Sequence, residues 1–157
     1  MCSSDLELEH GHTWDGAPLP CAVGLAVLDV LVREGLVERV RERGPSLRDE
    51  LEAAVGSLGI VREVRGRGFL LGIELVDPRD GESFLPNELE AAELVDQTAW
   101  EHGVLVTSSH STPDGFTGDQ VTLAPAFTST DEELGAMVEQ VAEALADVQR
   151  RIEEALE

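Results

Sequence analysis

The sequence predicts a small α/β protein of the α+β two-layer kind, with helices over one face of a mostly antiparallel sheet, preceded by an irregular arm and a long apolar helix. Three observations predict it. The segments read in the order ααα-ββ-α-β-β-α. Two short β-rich runs, "IVREVRG" and "FLLGIELVD", are separated only by Gly-Arg-Gly, as expected of an antiparallel pair. The C-terminal stretch repeats apolar residues at alternating spacings of four and three, the signature of a one-sided helix.

Each element has a local reason. Residues 1–17 are polar and irregular. From Pro18 the run "PLPCAVGLAVLDVLVREG" is almost wholly apolar until Arg33. Proline suits a first helical turn and Gly35 suits an ending. A helix apolar on most sides needs cover all round. "LVERVRERG" reads as a second helix and "PSLRDELEAAVGSLG" as a third, with Pro45 near its start and Gly56 or Gly59 closing it. After the two strands, "DPRDGES" is a turn cluster. Asn87 is expected to cap a helix ending at Gly103, followed by a strand "VLVTS", a loop "SHSTPDGFTGD" and a last strand "QVTLAPAF" stopped by Pro125. The final helix opens on a capping box, Thr130 to Glu133. Its stripe is Leu134, Val138, Val141, Leu145, Val148 and Ile152.

Charge narrows the function classes. Against 32 acidic groups stand 11 basic ones, a net of −21, and all 11 are arginines; the chain of 157 residues has no lysine. Such a field repels nucleic-acid backbones and gains nothing at an anionic lipid surface, so neither a nucleic-acid nor a membrane partner is expected. A carboxylate-rich, lysine-free surface suits a high-salt cytoplasm, where screening relieves self-repulsion; a genome favouring arginine codons would give the same composition. Two cysteines without ligand spacing, and no apolar run near the roughly 20 residues of a membrane span, fit a cytoplasmic protein without a disulfide framework. The start shows no secretory signal.

Four groups of residues offer candidate sites. His10, His12 and Cys21 could offer zinc ligands, but no third and fourth ligand follows at a usable spacing, so no metal is expected. "VRGRGFLLGIE" has one aromatic, Phe69, where an RNA-reading strand stacks bases on two, and a structural Gly-Arg-Gly turn is the better account. Ser108, Ser109, His110 and Ser111 share a Gly/Pro-rich loop without a nucleophile elbow or triad spacing. An anion grip remains: Thr13 stands just before a helix N-terminus, where amide groups and the dipole favour a phosphate, while Asp15 opposes an anion or caps the helix.

"HGHTWDGAPLPCAVGLAVLDVLVREGLVERV", "VRGRGFLLGIELVDP", "GVLV" and "DQVTLAPAFTSTDEELGAMVEQVAEAL", in this order, resemble the class III aminotransferases, pyridoxal-phosphate enzymes of fold type I. The resemblance runs from about Glu9 to about Val148. It implies the C-terminal portion of such an enzyme: 1–17 as an arm at the end of the missing large domain, 18–44 as an inter-domain helical segment and 45–157 as the small C-terminal α/β domain. It implies pyridoxal 5′-phosphate as cofactor, with Thr13 contacting the phosphate across the dimer interface. It also implies partners, the large cofactor domain or a neighbouring aminotransferase subunit, against which "AVGLAVLDVL" packs; alone, the chain is expected to form homo-oligomers or aggregate.

The departures matter equally. The family holds its cofactor as a Schiff base on a lysine upstream of this region, so this chain is expected to have no covalent attachment and no catalytic residue of its own. Where many members place an arginine for a substrate carboxylate, Thr122 stands here. Ala126 replaces the second proline of a usual pair, and Asp15 and Ala17 differ from the commoner residues. The alternative expectation is a non-catalytic interaction or dimerisation module, or a subunit of a split aminotransferase.

Overall fold

The computed structural model describes residues 11, 13–109 and 118–156. The chain forms two compact units, Met1–Leu36 and Val37–Glu157.

In the first unit, α1 spans Pro18–Arg33. None of its side chains is buried: Leu19, Leu25 and Val32 are 76%, 69% and 82% exposed. Arg33 reaches back one turn to Asp29 at 2.7 Å, and Gly35 follows at φ 62°.

α2 (Leu36–Val55), which belongs to the second unit from Val37 onward, is one continuous helix with Pro45 inside it. This corrects the expectation of two helices meeting at Gly44-Pro45. A proline there forfeits one backbone hydrogen bond and crowds the preceding turn, yet tertiary contacts hold both sides in line. Leu47, Leu51 and Val55 are fully buried below the proline. Above it, Gly44 lies so close to the following hairpin that a Cβ there would stand 2.6 Å from the Gly68 Cα. Arg43 binds Glu50 at 2.8 Å and Asp131 at 3.1 Å, and the Ser46 hydroxyl donates to the Arg43 carbonyl at 2.9 Å, a partner beside the proline.

Strands β1 (Val61–Arg67) and β2 (Leu70–Leu75) form the expected antiparallel hairpin, with Arg67 opposite Leu70. The two-residue turn starts at Gly68 with φ 61°, as a type II′ turn requires of its first central residue. β3 (Thr107–Ser109) and β4 (Asp119–Leu123) complete a sheet of order β1-β2-β4-β3, antiparallel throughout. Both are shorter than expected: Val104 to Val106 precede β3 without strand pairing, and β4 stops two residues ahead of Pro125. A 3₁₀ turn, Asn87–Leu89, and α3 (Ala91–Glu101) replace the single helix expected from an Asn87 cap. Glu90 separates them in the left-handed region, φ 46°. That reversal lets Leu85 and Leu89 pack on the core while Ala91 and Ala92 begin a helix buried on the same side. α3 ends in a Schellman motif, with Gly103 N–H donating to the Trp100 carbonyl and Val104 N–H to that of Ala99, both at 3.0 Å.

α4 spans Asp131–Leu156. All six stripe residues are buried, and the capping box is present: Thr130 N–H donates to Glu133 Oε2 at 2.7 Å, and Glu133 N–H to Thr130 Oγ1 at 3.2 Å. One core joins α2, α3 and α4 to a single face of the sheet, through Leu71, Ile73, Leu75, Val121 and Leu123. This is the two-layer arrangement anticipated, and it leaves the other sheet face polar.

Candidate functional site

Thr13 is exposed in the turn that leads into α1. The chain reverses through Gly16 at φ 71°, the Ala17 amide donates to the Trp14 carbonyl at 3.1 Å, and Ala17 precedes the helix with no side-chain cap. The helix end itself is poor in donors. Pro18 and Pro20 carry no amide hydrogen, so the dipole at this terminus is presented through few N–H groups. The Thr13 hydroxyl is therefore the more specific polar group of the segment, and the exposed Asp15 carboxylate sits two residues on. Cys21 is an exposed free thiol on α1, while His10 and His12 lie outside the described residues.

Thr122 lies on the polar sheet face, opposite Gly72 of β2 and Thr107 of β3. Side chains directly opposite one another share a face, so the same face carries Arg65, Glu63, Glu74, Gln120 and Ser109. They form a chain of polar contacts. Arg65 Nη1 donates to Glu63 at 2.6 Å and Glu74 at 2.7 Å, its Nη2 donates to Gln120 at 3.2 Å, and Gln120 Nε2 donates to Ser109 Oγ at 3.0 Å. The hydrogen bonds to Glu63 and then Glu74 raise the Arg65 pKa. Gly72 leaves room for the guanidinium to reach past β2 to β4. Thr122 thus has a hydroxyl where a clamp would need a cation, and the arginine on its face is already engaged by two carboxylates.

The serine cluster divides. Ser108 is tied to α3, its hydroxyl 2.8 Å from the Ala92 carbonyl and 2.5 Å from Asp96 Oδ1. Such a hydroxyl positions a strand end and is not presented as a nucleophile. His110 and Ser111 lie outside the described residues. His102 faces Glu143 and Asp147 at 3.5 and 3.8 Å across the α3–α4 contact.

Sequence reasoning missed one concavity. Between α2 and the β1–β2 hairpin lies a groove of about 410 Å³, whose lining includes Arg41, Arg48 and Arg67 beside Val37, Val40 and Leu71. The available signal was Arg67 itself, a cation inserted between two glycines at a hairpin tip.

An antiparallel sheet with helices on one face, joined in sequence to an exposed apolar helix, defines a small α+β unit of a kind seen in solved transaminases. The (S)-enantioselective omega-transaminase of Thermomicrobium roseum matches with a TM-score of 0.75 at 34% identity, over 93% of this chain and 31% of that one. The PMP-bound aminotransferase of Vibrio fluvialis matches with a TM-score of 0.76 at 28% identity, over 93% and 30%. An amine transaminase from an uncultivated Pseudomonas species, solved in a PLP-bound form, gives 0.73 at 32% identity, over 90% and 30%. Among sequences, Gamma aminobutyrate transaminase 2 of Solanum lycopersicum is 34% identical over 145 residues, 92% of this chain and 30% of that protein. An uncharacterized aminotransferase of Bacillus subtilis is 32% identical over 142 residues, 90% and 32%. The family model described as Aminotransferase class-III matches residues 2–145. The chain belongs to the class III aminotransferases, and it spans about a third of the length of the relatives it matches.

Proposed function

We propose that the chain is the C-terminal portion of a class III aminotransferase and takes part in amino-group transfer, from an amine or amino acid to a keto acid, only when a lysine-bearing polypeptide completes it. The observation that carries this reading is the pairing of a family match over residues 2–145 with a sequence that contains no lysine.

Pyridoxal phosphate, when bound, supplies the electron sink for the exchange. This chain fits one end of that cofactor and not the other. Thr13 offers an exposed hydroxyl to donate to a phosphate oxygen, reachable from a neighbouring subunit. There is no ε-amino group to attach the aldehyde. Residues 121–127 line the substrate entrance in this reading, with Thr122 giving a hydrogen bond but no charge to a substrate carboxylate; most of the loop 108–118 expected beside them lies outside the described residues. A dicarboxylate or α-carboxylate donor would be held less tightly than by an arginine there, since charge-assisted pairs are roughly twice as strong as neutral ones. The domain reading follows: 1–17 an arm, 18–44 inter-domain, 45–157 the small domain. The exposed free thiol of Cys21 supports a reducing, cytoplasmic setting.

A second reading is favoured by α1, whose apolar side chains have no cover of their own: a subunit or module that works by association. One experiment separates the two. The purified chain is mixed with pyridoxal phosphate and reduced with borohydride, alone and after co-expression with a lysine-bearing large domain from a relative. Alone, labelling is expected only at the amino terminus, with no transaminase turnover. Co-expression is expected to restore turnover, lowered when Thr13 is changed to Val. Turnover by the isolated chain would sink the first reading, and a stable complex without turnover would favour the second.

A further inference from the structure

We propose that the Asp80–Gly81 bond is a self-modification site: it converts to an isoaspartyl linkage through a cyclic imide when the turn after β2 opens, and is held off while that turn is closed. The chemistry uses only this chain and water, so it is independent of the transaminase reading.

The sequence supplies the reacting pair. The Gly81 nitrogen forms a bond to Asp80 Cγ, a carboxyl C–O bond breaks, and the oxygen leaves as water with the carboxyl and amide protons. Water then opens the ring at either carbonyl. Opening at the side-chain carbonyl restores aspartate, whereas opening at the main-chain carbonyl leaves the chain running through the side-chain carbonyl. The water lost in the first step is regained in the second, and nothing is oxidised or reduced. Glycine favours the attack because no side chain shields its nitrogen. A Cβ built on Gly81 would meet nothing within 4 Å, and both residues are exposed, so water has access to the bond.

The folded turn opposes each part of that reaction. Gly81 N–H donates to the Asp77 carbonyl at 2.8 Å, so the nitrogen that must give up its proton is engaged. Asp80 Oδ2 accepts the Ser83 hydroxyl at 2.5 Å, and Oδ1 accepts the Glu82 and Ser83 amides at 2.9 Å each. Tethered through both oxygens to residues beyond Gly81, the carboxyl cannot turn its carbon onto the Gly81 nitrogen without giving up those bonds. The same donors, the Ser83 hydroxyl foremost, keep the group ionised, its pKa lowered to about 2. A carboxylate is a far weaker electrophile than a carboxylic acid. The frame around the pair is anchored as well: Asp77 is nearly buried, its N–H donates to the Ser83 carbonyl at 2.8 Å, and Arg79 grips its carboxylate.

Conversion changes the turn. An isoaspartyl residue adds a methylene to the main chain and moves the free carboxylate onto the α-carbon, away from its three donors. Val76 and Leu85, buried on either side of the turn, are then joined by a longer connection that no longer fits the Asp77–Ser83 closure. Each opening thus carries a chance of a covalent change that keeps the turn open, a chemical record of local unfolding.

The chain has three Asp–Gly pairs, beginning at Asp15, Asp80 and Asp114, and the first serves as an internal reference. The test is peptide mapping of the full 157-residue chain after incubation at neutral pH, native or unfolded in urea, with isoaspartate located by electron-transfer fragmentation. Isoaspartate at position 80 is expected to form about tenfold faster or more in urea, because reaction through an open state follows the open population. Ser83→Ala is expected to raise the native rate at position 80 about threefold or more, the scale of one lost hydrogen bond, and to leave the rate at Asp15–Gly16 unchanged. If Ser83→Ala loses its fold by circular dichroism, the comparison of native and unfolded parent chain decides alone. The proposal is overturned by equal rates at position 80 in the native and unfolded chains, by no isoaspartate there in either, or by a folded Ser83→Ala variant that reacts no faster than the parent.

Discussion

At the scale of single residues, the turn that follows β2 holds two carboxylates in a dense set of hydrogen bonds. Asp77 is nearly buried and takes a bidentate contact from Arg79, with Nη2 at 2.6 Å and Nε at 3.0 and 3.1 Å, which lowers its pKa. Asp80 Oδ2 accepts the Ser83 hydroxyl at 2.5 Å and Oδ1 the Glu82 and Ser83 amides at 2.9 Å each, bringing its pKa to about 2. Both carboxylates are more acidic folded than unfolded. Their contribution is thus fully present above the ordinary aspartate pKa near 4 and is lost as pH falls towards about 2. Thermal melts between pH 7 and pH 2 are expected to show the melting temperature falling across that window, and Asp80→Asn is expected to flatten the fall while lowering stability at neutral pH. An unchanged acid limb in Asp80→Asn would remove this turn from the acid response. "DPRDGES" was legible as a turn because its residue types favour local hydrogen bonds; which carboxylate took which donor was not, because that depends on the rotamers the packed strand allows.

At the scale of elements, legibility followed how strongly one local signal outweighed the rest. α4 was readable in full: a capping box opens it and six apolar residues at spacings of four and three all reach the core. Thr130→Ala is expected to cost about 1 kcal/mol by removing the cap, and Leu145→Ala about 2–5 kcal/mol by leaving a cavity under the sheet. Urea denaturation followed by far-ultraviolet circular dichroism measures both, and a larger loss at Thr130 than at Leu145 would mean that α4 is held by its end and not by its stripe. α2 was misread because proline is a strong local breaker, whereas the forces that override it, Leu47 and Leu51 in the core and Gly44 against Gly68, come from residues distant in sequence. The start of α3 was misplaced for a similar reason. Asn87 is a good cap in isolation, but burial of both Leu85 and Ala91 demands the reversal at Glu90. Of the candidate sites, Thr13 was legible as an anion grip from its place before α1 and Thr122 came from family resemblance, whereas the groove between α2 and the hairpin stayed hidden because it exists only once the two are packed.

At the scale of the whole molecule, two opposed forces act on association. The net charge of −21 pushes copies apart, while α1 offers apolar side chains on every side, with Leu25 69% and Leu28 59% exposed. Among the described residues no helix is long and apolar enough to cross a membrane. Apolar attraction is short-ranged and insensitive to dilute salt, whereas the repulsion is screened over about 10 Å at 0.1 M and about 3 Å at 1 M. The balance must therefore tip towards association as salt rises, the reverse of what an interface built on opposite charges would do. Sedimentation velocity on the chain in buffers from low salt to about 1 M is expected to show a growing population of oligomers. Leu25→Gln together with Leu28→Gln keeps both helix propensity and net charge, so it isolates the apolar term; this double variant is expected to remain monomeric across the series. A parent chain that stays monomeric at every salt concentration, or a double variant that associates equally well, would show that α1 is not the surface through which this portion of an aminotransferase meets another polypeptide.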